Sequence, residues 1–446
     1  MPLTALDVFK HLPKTNCGKC GFPTCLAFAM QMAAKKAGLD QCPEVTDEGR
    51  AALEGASSPP IRLVTVGTGD AAIQIGQETV LFRHDETFYH PPGIAVRLSD
   101  DLDDSALQAR VDAIKALDFE RVGQKIAVDM IAVENVSGDA DKFKRAVSAA
   151  AGSGLALILM SGSAKAIGAA LEVCADRKPL LHRADAENWE DMARLAKDKS
   201  CPLVVDASDL EKAAELTAKL AGAGAEDLVL DVTAGSFAAT LQALTKVRRL
   251  PLRKGFRPLG YPCIAFPASA DPDVALAEAG AYVAKYAGIV VTDAIEPWQI
   301  LPILTVRMNI YTDPRKPVQV ESKLYEIGAT TDKSPLLLTT NFSLTYYTVE
   351  GDVEASRVPS FIGVIDTEGT SVLTAWASEK LTAEKAAKFL NSEDVKSKVS
   401  HGKVIIPGYV AVMSGKLEDE SGWQVLVGPR ESSGIPKYLK TMWKAD

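Results

Sequence analysis

Four cysteines near the amino terminus constrain this chain more than any other feature of its sequence. They are Cys17, Cys20, Cys25 and Cys42, and they follow the spacing C-x2-C-x4-C-x16-C. Four thiolates are enough soft ligand to hold one tetrahedral metal centre, and such sites select zinc or an iron–sulfur cluster. We therefore expect a metal-binding module at the start of the chain, in residues 1–57.

The residues around these cysteines favour a [4Fe–4S] cluster. Gly18 and Gly21 each follow a cysteine, so the backbone can wrap tightly and direct its amides at the sulfurs. An apolar-rich segment from Cys25 to Ala37 predicts a helix, which Gly38 can end. A structural zinc site more often uses two C-x2-C knuckles. A zinc knuckle and a set of unrelated core thiols stay open as alternatives.

Composition excludes other classes of protein. The 446 residues carry a net charge of -9 and no basic stripe, which argues against a nucleic-acid-binding surface. No apolar stretch approaches the roughly 20 residues that a membrane span needs. The segment before Cys17 lacks the apolar core of a signal peptide and predicts instead a short helix capped by Thr4. We expect a cytoplasmic protein that contacts no membrane.

The remaining cysteines predict no chemistry. Cys174, Cys201 and Cys263 are isolated from one another and lie in apolar surroundings. A cytoplasmic chain does not build a disulfide framework, and free cysteine is commonly buried. We expect these three side chains to be small core residues.

The length of the chain implies two or three domains. Ala-Ser-Ser-Pro-Pro at 56–60 predicts a linker. From 61 to 311, short apolar runs alternate with helical stretches, as in a parallel sheet covered by helices, and their number and length favour a TIM (β/α)8 barrel over a doubly wound α/β domain. The predicted strands are 61–66, 93–98, 125–133, 155–160, 179–182, 202–207, 228–232, 263–266 and 288–293.

Acidic residues lie near the ends of several predicted barrel strands. They are Asp129, Asp206, Asp231 and Asp293. The carboxyl ends of barrel strands are where such folds place their active sites. The favoured interpretation is nevertheless that these residues occupy turns and helix caps, because the sequence pairs no histidine or cysteine with them in a nucleophile pattern.

The last third of the chain predicts another α/β domain. A second linker covers 312–334, and 335–446 contains four strand-turn-helix units. The loops at the carboxyl ends of these strands are 339–341 with Thr345, 366–374, 406–409 and 427–434, and parallel sheets bind their ligands at such loops. They are rich in Gly, Thr, Ser and Pro and contain no GxxxxGK[ST] or GxGxxG, which favours a large, mostly neutral ligand with many amide groups over a nucleotide. A set of short turns without a ligand stays open.

The run NCGKCGFPTC…QCP and the order of the three units resemble a known family over the whole chain. The chain is similar to the large (gamma) subunits of corrinoid iron–sulfur proteins of the reductive acetyl-CoA (Wood–Ljungdahl) pathway. These are related to corrinoid subunits of the archaeal acetyl-CoA decarbonylase/synthase complex. The resemblance implies a [4Fe–4S] module, a TIM barrel that serves as scaffold and docking surface, and a Rossmann-like corrinoid-binding domain at 335–446.

The resemblance also implies a function as a methyl carrier within a methyltransferase system. Co(I) of a bound cobalamin would accept a methyl group from methyltetrahydrofolate through a separate methyltransferase and deliver it to CO dehydrogenase/acetyl-CoA synthase. Cys17, Cys20, Cys25 and Cys42 would hold the cluster, which would return Co(II) to Co(I). A small subunit of the corrinoid iron–sulfur protein would complete a heterodimer and cover the other face of the corrin.

The corrinoid is expected without a lower protein ligand, because the D-x-H-x-x-G motif that ligates cobalt in many cobalamin domains does not occur here. His401, the only histidine of the domain, is expected at the surface, and Thr374 is the candidate for the non-ligating group beneath cobalt. The expected corrinoid contacts are Thr340, Asn341, Thr345, Thr370, Ser371, Val372, Leu373, Thr374, Pro407, Gly408, Gly428, Pro429 and Gly434.

Three other functions stay open. The chain could be a [4Fe–4S] electron-transfer subunit without a corrinoid, or a zinc-stabilised scaffold subunit. It could also be an autonomous pterin-dependent methyltransferase that uses the barrel acids, with Asp129 and Asp231 as its essential residues.

Overall fold

A computed structural model describes residues 4–33, 36–46, 49–50, 53, 59–313 and 317–444. The chain divides into two compact units: the first comprises 1–119 and 126–311, and the second comprises 120–125 and 312–446. Within the described ranges, no helix has both the length and the apolar character needed to cross a membrane.

The amino-terminal module begins with two short helices, α1 (Ala5–Lys10) and α2 (Cys25–Ala33). Thr4 caps α1 as predicted, since its hydroxyl accepts a hydrogen bond from the Asp7 N–H and the Asp7 carboxylate reaches back to Thr4. The described helix α2 ends four residues before the predicted end at Ala37, and residues 34–35 lie outside the described ranges. The predicted linker at 56–60 is described only at Pro59 and Pro60.

Eight parallel strands close into the predicted barrel, in the order β10-β11-β12-β3-β6-β7-β8-β9. The remaining strands of this region form two hairpins outside the barrel, β1–β2 and β4–β5. The strands are β1 (Val64–Val66), β2 (Ile73–Ile75), β3 (Gly93–Ser99), β4 (Asp118–Arg121), β5 (Gln124–Ala127), β6 (Met130–Glu134), β7 (Ala156–Met160), β8 (Leu180–Ala184), β9 (Leu203–Asp206), β10 (Leu228–Asp231), β11 (Cys263–Ala265) and β12 (Ile289–Thr292).

Eight helices surround the barrel, and side-chain caps fix where several of them begin. Asp or Ser side chains accept hydrogen bonds from free N–H groups in the first turns of α3, α4, α5, α7, α8 and α9. The helices are α3 (Asp104–Lys115), α4 (Ala140–Ala151), α5 (Ala164–Cys174), α6 (Trp189–Lys199), α7 (Leu210–Ala223), α8 (Phe237–Lys254), α9 (Pro272–Ala284) and α10 (Pro297–Tyr311).

Two of the predicted strands differ from the structure. The run 61–66 contributes only β1, which pairs antiparallel with β2, and Val64, Val66 and Ile75 pack against the side chains inside the barrel. The run 125–133 splits into β5 and β6, since Val128 and Asp129 belong to neither strand. A continuous apolar run does not reveal such a break, because Ile126 before it and β6 after it are both buried.

The second unit contains a five-stranded sheet of order β13-β15-β14-β16-β17. Four strands are parallel, and β13 runs antiparallel at the edge beside β15. The strands are β13 (Leu324–Ile327), β14 (Leu336–Thr340), β15 (Ser360–Ile365), β16 (Lys403–Ile406) and β17 (Gln424–Val427). The helices are α11 (Ser343–Ser356), α12 (Val372–Ala377), α13 (Ala383–Leu390), α14 (Glu393–Lys398), α15 (Ser414–Ser421) and α16 (Ile435–Thr441).

The segment 312–334, predicted as a linker, therefore belongs in part to the sheet. It contains β13, and Gln319 forms a bridge with Phe342. The edge strand was missed because its alternating LYEI pattern is short and follows prolines and charges, which usually mark a connection. Helices cover both faces of the sheet and bury two apolar clusters, one on each side.

Candidate functional site

The first candidate site is the cysteine loop between α1 and α2. Gly18 and Gly21 have φ values of 71° and 84°, a conformation that favours glycine, and the Gly21 N–H donates to the Gly18 carbonyl at 2.9 Å. The backbone N–H of Cys25 donates to Oδ1 of Asn16 at 2.9 Å, which fixes the start of α2 against the loop. Local turn chemistry thus places three cysteines on one tight loop.

The four thiols of this module differ in their exposure. Cys25 and Cys42 are buried in an apolar cluster with Phe28, Cys20 is partly buried against the same cluster, and Cys17 is exposed. The pKa of Cys17 is lowered, because the Lys19 N–H and the Thr15 hydroxyl donate hydrogen bonds to its sulfur. Hydrogen bonds of this kind stabilise a thiolate, which is the form that ligates a metal.

These residues fit an iron–sulfur cluster in their chemistry. Four thiols lie in one small module, two of them inside an apolar shell and one at its exposed rim. Among the described residues, no three His, Cys, Asp or Glu side chains are arranged around the position of a single metal ion.

The other three cysteines are not ligands. Cys174, Cys201 and Cys263 are buried in the barrel, as predicted. Burial raises the pKa of Cys174 to about 12, of Cys201 to about 11 and of Cys263 to about 12. At neutral pH these thiols stay protonated, and they act as small apolar core residues.

The second candidate site lies at the carboxyl edge of the sheet in the second unit. From β14 the chain passes first to β15 on one side and later to β16 on the other side, so the strand order reverses between β14 and β16. Open α/β sheets bind ligands at such a reversal. A cavity of ≈ 120 Å3 lies there.

Most of this cavity is apolar, with a few polar groups. Its lining comes from the ends of β14, β16 and β17 and from the helices that follow them. It includes several of the predicted contacts: Thr345, Val372, Pro407, Gly428 and Pro429. It also includes Leu337, Leu338, Thr339, Val349, Ile405, Ile406, Tyr409, Arg430, Ser432 and Ile435.

Two buried hydroxyls at this edge have no partner. Oγ1 of Thr339 and Oγ1 of Thr340 are buried without a hydrogen bond among the described residues, although a buried hydroxyl normally has one. Thr339 lines the cavity, so an unpaired hydroxyl lies in the wall of the space that a ligand would fill. This orphaned polar atom fits a ligand that offers hydrogen-bonding groups, as the amide side chains of a corrinoid do.

Asn341 organises the neighbouring turn. Its Oδ1 accepts hydrogen bonds from the N–H of Thr367 at 2.9 Å, from the Thr367 hydroxyl at 3.1 Å and from the N–H of Gly369 at 3.0 Å. Its Nδ2 donates to Gln319 and to Asp366, each at 3.0 Å. Because both polar atoms are fully used, we infer that Asn341 positions the turn 366–370.

The turn is followed by residues 370–374, of which the first three are partly exposed and the last two are exposed. The Ser371 hydroxyl donates to Oγ1 of Thr374 at 3.1 Å, and the Thr370 hydroxyl donates to the Thr367 carbonyl at 2.7 Å. Thr374 is exposed, and the side chain of Leu373 is 51% exposed. The predicted contacts at 370–374 thus stand at the surface of the carboxyl edge, where a large ligand could cover them.

Glycines hold the β16 and β17 loops close together. A Cβ at Gly408 would lie 2.6 Å from the Gly428 carbonyl oxygen, and a Cβ at Gly428 would lie 2.9 Å from Cγ2 of Ile405. A Cβ at Gly434 would lie 2.8 Å from Cβ of Pro429. At these three predicted contact residues, the absence of a side chain therefore lets the neighbouring loops pack closely beside the cavity.

His401 differs from its prediction as a surface residue. It is half-buried, its ring packs edge-on against Trp443, and both ring nitrogens are engaged. Nε2 lies 2.9 Å from the Ser334 carbonyl, and Nδ1 accepts from the Lys403 N–H at 3.0 Å, which defines the neutral Nε2–H tautomer. With both nitrogens used, His401 has no free nitrogen to ligate cobalt.

The prediction that Asp129 stands at a strand carboxyl end is wrong. It directly precedes β6, at the amino-terminal end of the barrel, and it pairs with Arg307 of α10. Burial raises the pKa of Asp129, although Arg307 and the Ile94 N–H oppose this effect. Asp206 and Asp231 end β9 and β10, and Asp293 follows β12, as predicted. Asp129 and Asp231 therefore cannot share one site.

At the carboxyl end of the barrel, Asp231 contacts a histidine that the sequence did not reveal. Its Oδ2 lies 3.1 Å from Nε2 of His182 and 3.1 Å from Nη1 of Arg183. Nη2 of the same arginine lies 3.6 Å from Oδ2 of Asp206. Burial raises the pKa of Asp231, but hydrogen bonds from His182 and Thr233 outweigh it and leave the pKa lowered. His182 and Asp231 are 49 residues apart in the sequence, so no short sequence motif contains both of them.

Comparisons with known proteins cover the whole chain. The family model "CO dehydrogenase/acetyl-CoA synthase delta subunit" matches residues 63–439, and the model "Putative Fe-S cluster" matches residues 12–44, which include all four cysteines of the module. The corrinoid/iron-sulfur protein large subunit of Moorella thermoacetica is 49% identical over 99% of this chain and 99% of that protein.

Archaeal proteins are similar over the same length. The acetyl-CoA decarbonylase/synthase complex subunit gamma of Methanothermobacter thermautotrophicus is 38% identical over 98% of this chain and 99% of that protein. The same subunit of Methanopyrus kandleri is 37% identical over 98% of this chain and 97% of that protein. The solved dihydropteroate synthase of Thermus thermophilus covers 53% of this chain and 97% of that chain, with 15% identity and a TM-score of 0.38.

The fold and its sites thus define an α/β protein that joins a cysteine module, an eight-stranded barrel and an open sheet with a cavity at its carboxyl edge. Within that class, the chain belongs to the family of the corrinoid/iron-sulfur protein large subunits and the acetyl-CoA decarbonylase/synthase gamma subunits. The resemblance drawn from the cysteine motif is confirmed.

Proposed function

We propose that this chain is a corrinoid methyl carrier with its own iron–sulfur module. The observation that carries the proposal is the 49% identity to the Moorella corrinoid/iron-sulfur large subunit over 99% of both chains. In this proposal the carrier receives a methyl group from methyltetrahydrofolate through a separate methyltransferase and passes it to CO dehydrogenase/acetyl-CoA synthase. It works as a heterodimer with a small subunit.

The chain's own residues would divide the work between two sites. Cys17, Cys20, Cys25 and Cys42 would hold the [4Fe–4S] cluster, and the carboxyl edge of the second unit would hold the corrinoid. When bound, the corrinoid supplies a nucleophilic cobalt for methyl transfer and the cluster supplies one electron to restore it. The apolar shell around Cys25 and Cys42 keeps water from two of the cluster ligands, and the exposed Cys17 leaves one side open to electron exchange.

At the second site, the residues would bind the corrinoid without ligating its cobalt. The free hydroxyl of Thr339 supports hydrogen bonding to amide side chains of the ligand. The bonds of Asn341 keep the turn 366–370 in place, so that Thr370, Ser371 and Thr374 stand at the rim. His401 has no free nitrogen, which supports a corrinoid without a histidine ligand.

An EPR spectrum of protein purified without oxygen, together with its small subunit, tests this function. A base-off Co(II) signal, joined on reduction by a [4Fe–4S]1+ signal, is expected. A cluster signal without cobalt would leave an electron-transfer subunit as the better assignment, and zinc without iron would leave a scaffold subunit. Methyltetrahydrofolate binding by this chain alone would favour an autonomous methyltransferase instead.

A further inference from the structure

A basic groove lies on the outside of the barrel, in the first unit, and its lining shares no residue with either site described above. It is an open concavity of ≈ 500 Å3. Four cations line it: Arg249, Arg253 and Lys254 of α8, and Lys285 directly after α9. A cavity of this size is typical of small-molecule sites.

The four cations of the basic groove have no carboxylate partner in the described part of the chain, and Nζ of Lys285 lies 5.2 Å from the centroid of the Tyr286 ring. The groove has no acidic residue in its lining, and within the described part of the chain no carboxylate forms an ion pair with any of the four cations. The chain as a whole has a net charge of -9, so this local excess of positive charge runs against its composition. Cations converging on one concavity focus a positive potential there.

Helix dipoles explain only part of this arrangement. Arg253 and Lys254 stand in the last turn of α8, where a cation interacts favourably with the helix carboxyl end. Arg249 lies more than a turn before that end, beyond the range in which the dipole acts. Its exposed guanidinium lines the same groove.

An aromatic side chain completes the rim of the basic groove. Phe82 is 50% exposed and stacks on the His84 ring with an interplanar angle of 17°. The backbone on which it stands is held by hydrogen bonds: the Tyr286 hydroxyl donates to the Leu81 carbonyl at 2.9 Å, and Arg248 donates to the Val80 carbonyl. Phe82 is therefore held at the rim by the surrounding fold.

From these observations we propose that the basic groove binds a small organic pyrophosphate of the nucleoside diphosphate class. Arg249, Arg253, Lys254 and Lys285 contact its phosphate oxygens, and Phe82 contacts its flat ring. Arginine suits this role because its planar fork donates two hydrogen bonds to a phosphate. The site is independent of the corrinoid and of the cluster, and it does not rest on the proposed function.

Calorimetric titration of the full chain with ADP and with inorganic pyrophosphate tests the proposal. We expect saturable binding of both probes, weakened about tenfold or more in Arg249→Ala/Arg253→Ala, since two charge-assisted phosphate contacts are lost. Lys246→Ala is the matched control: it removes an exposed cation from the same helix outside the groove, and it should change binding by less than about twofold. Binding by the Arg249→Ala/Arg253→Ala and Lys246→Ala variants is compared in protein whose thermal unfolding is unchanged.

Phe82→Ala separates the two parts of the ligand. It should weaken ADP by about fivefold, the value of one aromatic stacking contact, and leave pyrophosphate unaffected. Absence of saturable binding of both probes would overturn the proposal, as would an equal loss in Lys246→Ala. Tighter binding of a polyglutamate peptide than of ADP, in competition with it, would also overturn the proposal and assign the groove to an acidic protein partner.

Discussion

Oδ1 of Asn341, at the end of β14, accepts a hydrogen bond from the backbone N–H of Gly369 at 3.0 Å. The same oxygen accepts from the Thr367 N–H, so one side chain ties the central strand of the sheet to the turn after β15. Both donors are buried. The shape of the proposed corrinoid edge thus depends on a residue that is itself saturated with internal bonds.

Replacing Asn341 should therefore destabilise the carboxyl edge of the sheet more than the loss of a single hydrogen bond would. Asn341→Ala leaves two buried N–H groups without an acceptor, and we expect a loss of about 2–4 kcal/mol in the free energy of unfolding. Corrinoid content should fall with it. The exposed Asn391, which makes one hydrogen bond to the Ser421 carbonyl, provides the control Asn391→Ala. Equal effects of the two substitutions on stability and cobalt content would contradict the positioning role.

The cysteines should separate into ligands and core residues. Cys25→Ser and Cys42→Ser should each abolish the [4Fe–4S] EPR signal and lower iron and sulfide content, because a hydroxyl is a poor substitute for a thiolate. Cys174→Ala should keep the cluster and cost only about 1 kcal/mol of stability, as a small core truncation does. Cluster loss in Cys174→Ala, or full iron content in Cys25→Ser, would refute this assignment.

Close backbone approach at Gly408 should make it intolerant of a side chain. In Gly408→Ala the new Cβ would lie 2.6 Å from the Gly428 carbonyl oxygen, and we expect a loss of about 1–3 kcal/mol with reduced corrinoid binding. Gly415→Ala is the control, since nothing lies within 4 Å of its Cβ and it stands inside α15. That substitution should stabilise the protein by about 0.5–1 kcal/mol through helix propensity. Thermal unfolding compares the two.

His401 should make the stability of the second unit depend on pH. Burial lowers the pKa of His401 below its ordinary value of 6.5, and the neighbouring Lys403 adds to this, while the bond to Ser334 opposes it. His401 therefore binds a proton more readily in the unfolded chain than in the folded chain. Its contribution to the free energy of unfolding is fully present above pH 6.5 and is lost as the pH falls below that value.

His401→Gln should reduce the dependence of the free energy of unfolding on pH, because glutamine does not take up the proton that destabilises the folded state. Denaturant unfolding at a series of pH values from neutral to mildly acidic measures the slope. A slope that persists in His401→Gln would show that another group carries it.

The pair of Asp129 and Arg307 should act in stability alone. Asp129→Asn removes a charge from a pair in which Arg307 is 12% exposed and Asp129 is 26% exposed. We expect a loss of about 3 kcal/mol, the low end of the range for buried pairs. Asp293→Asn, whose side chain is 75% exposed in its pair with Arg97, should cost less than about 1 kcal/mol. A loss of methyltetrahydrofolate binding without destabilisation in Asp129→Asn would contradict this role.

Local patterns were sufficient for much of this architecture. The cysteine spacing indicated the module, and the apolar runs indicated eight barrel strands, because strands buried on both faces have a recognisable composition. Thr4 could be recognised as a cap and the three core cysteines as buried, since each depends on its immediate neighbours. The corrinoid contacts stay predictions. The cavity, which Thr345, Val372 and Pro407 line, supports part of the predicted set of contacts.

Pairings between distant residues could not be predicted. His182 and Asp231 are 49 residues apart in the sequence. Asp129 lies at the amino-terminal end of the barrel, opposite to its predicted position, because it directly precedes β6. The strand β13 became an edge strand because β15 offered it unpaired backbone groups, not because its own sequence is strongly extended. Turns, caps and ligand motifs are set by neighbours along the chain, whereas ion pairs, sheet edges and grooves depend on which segments meet after folding.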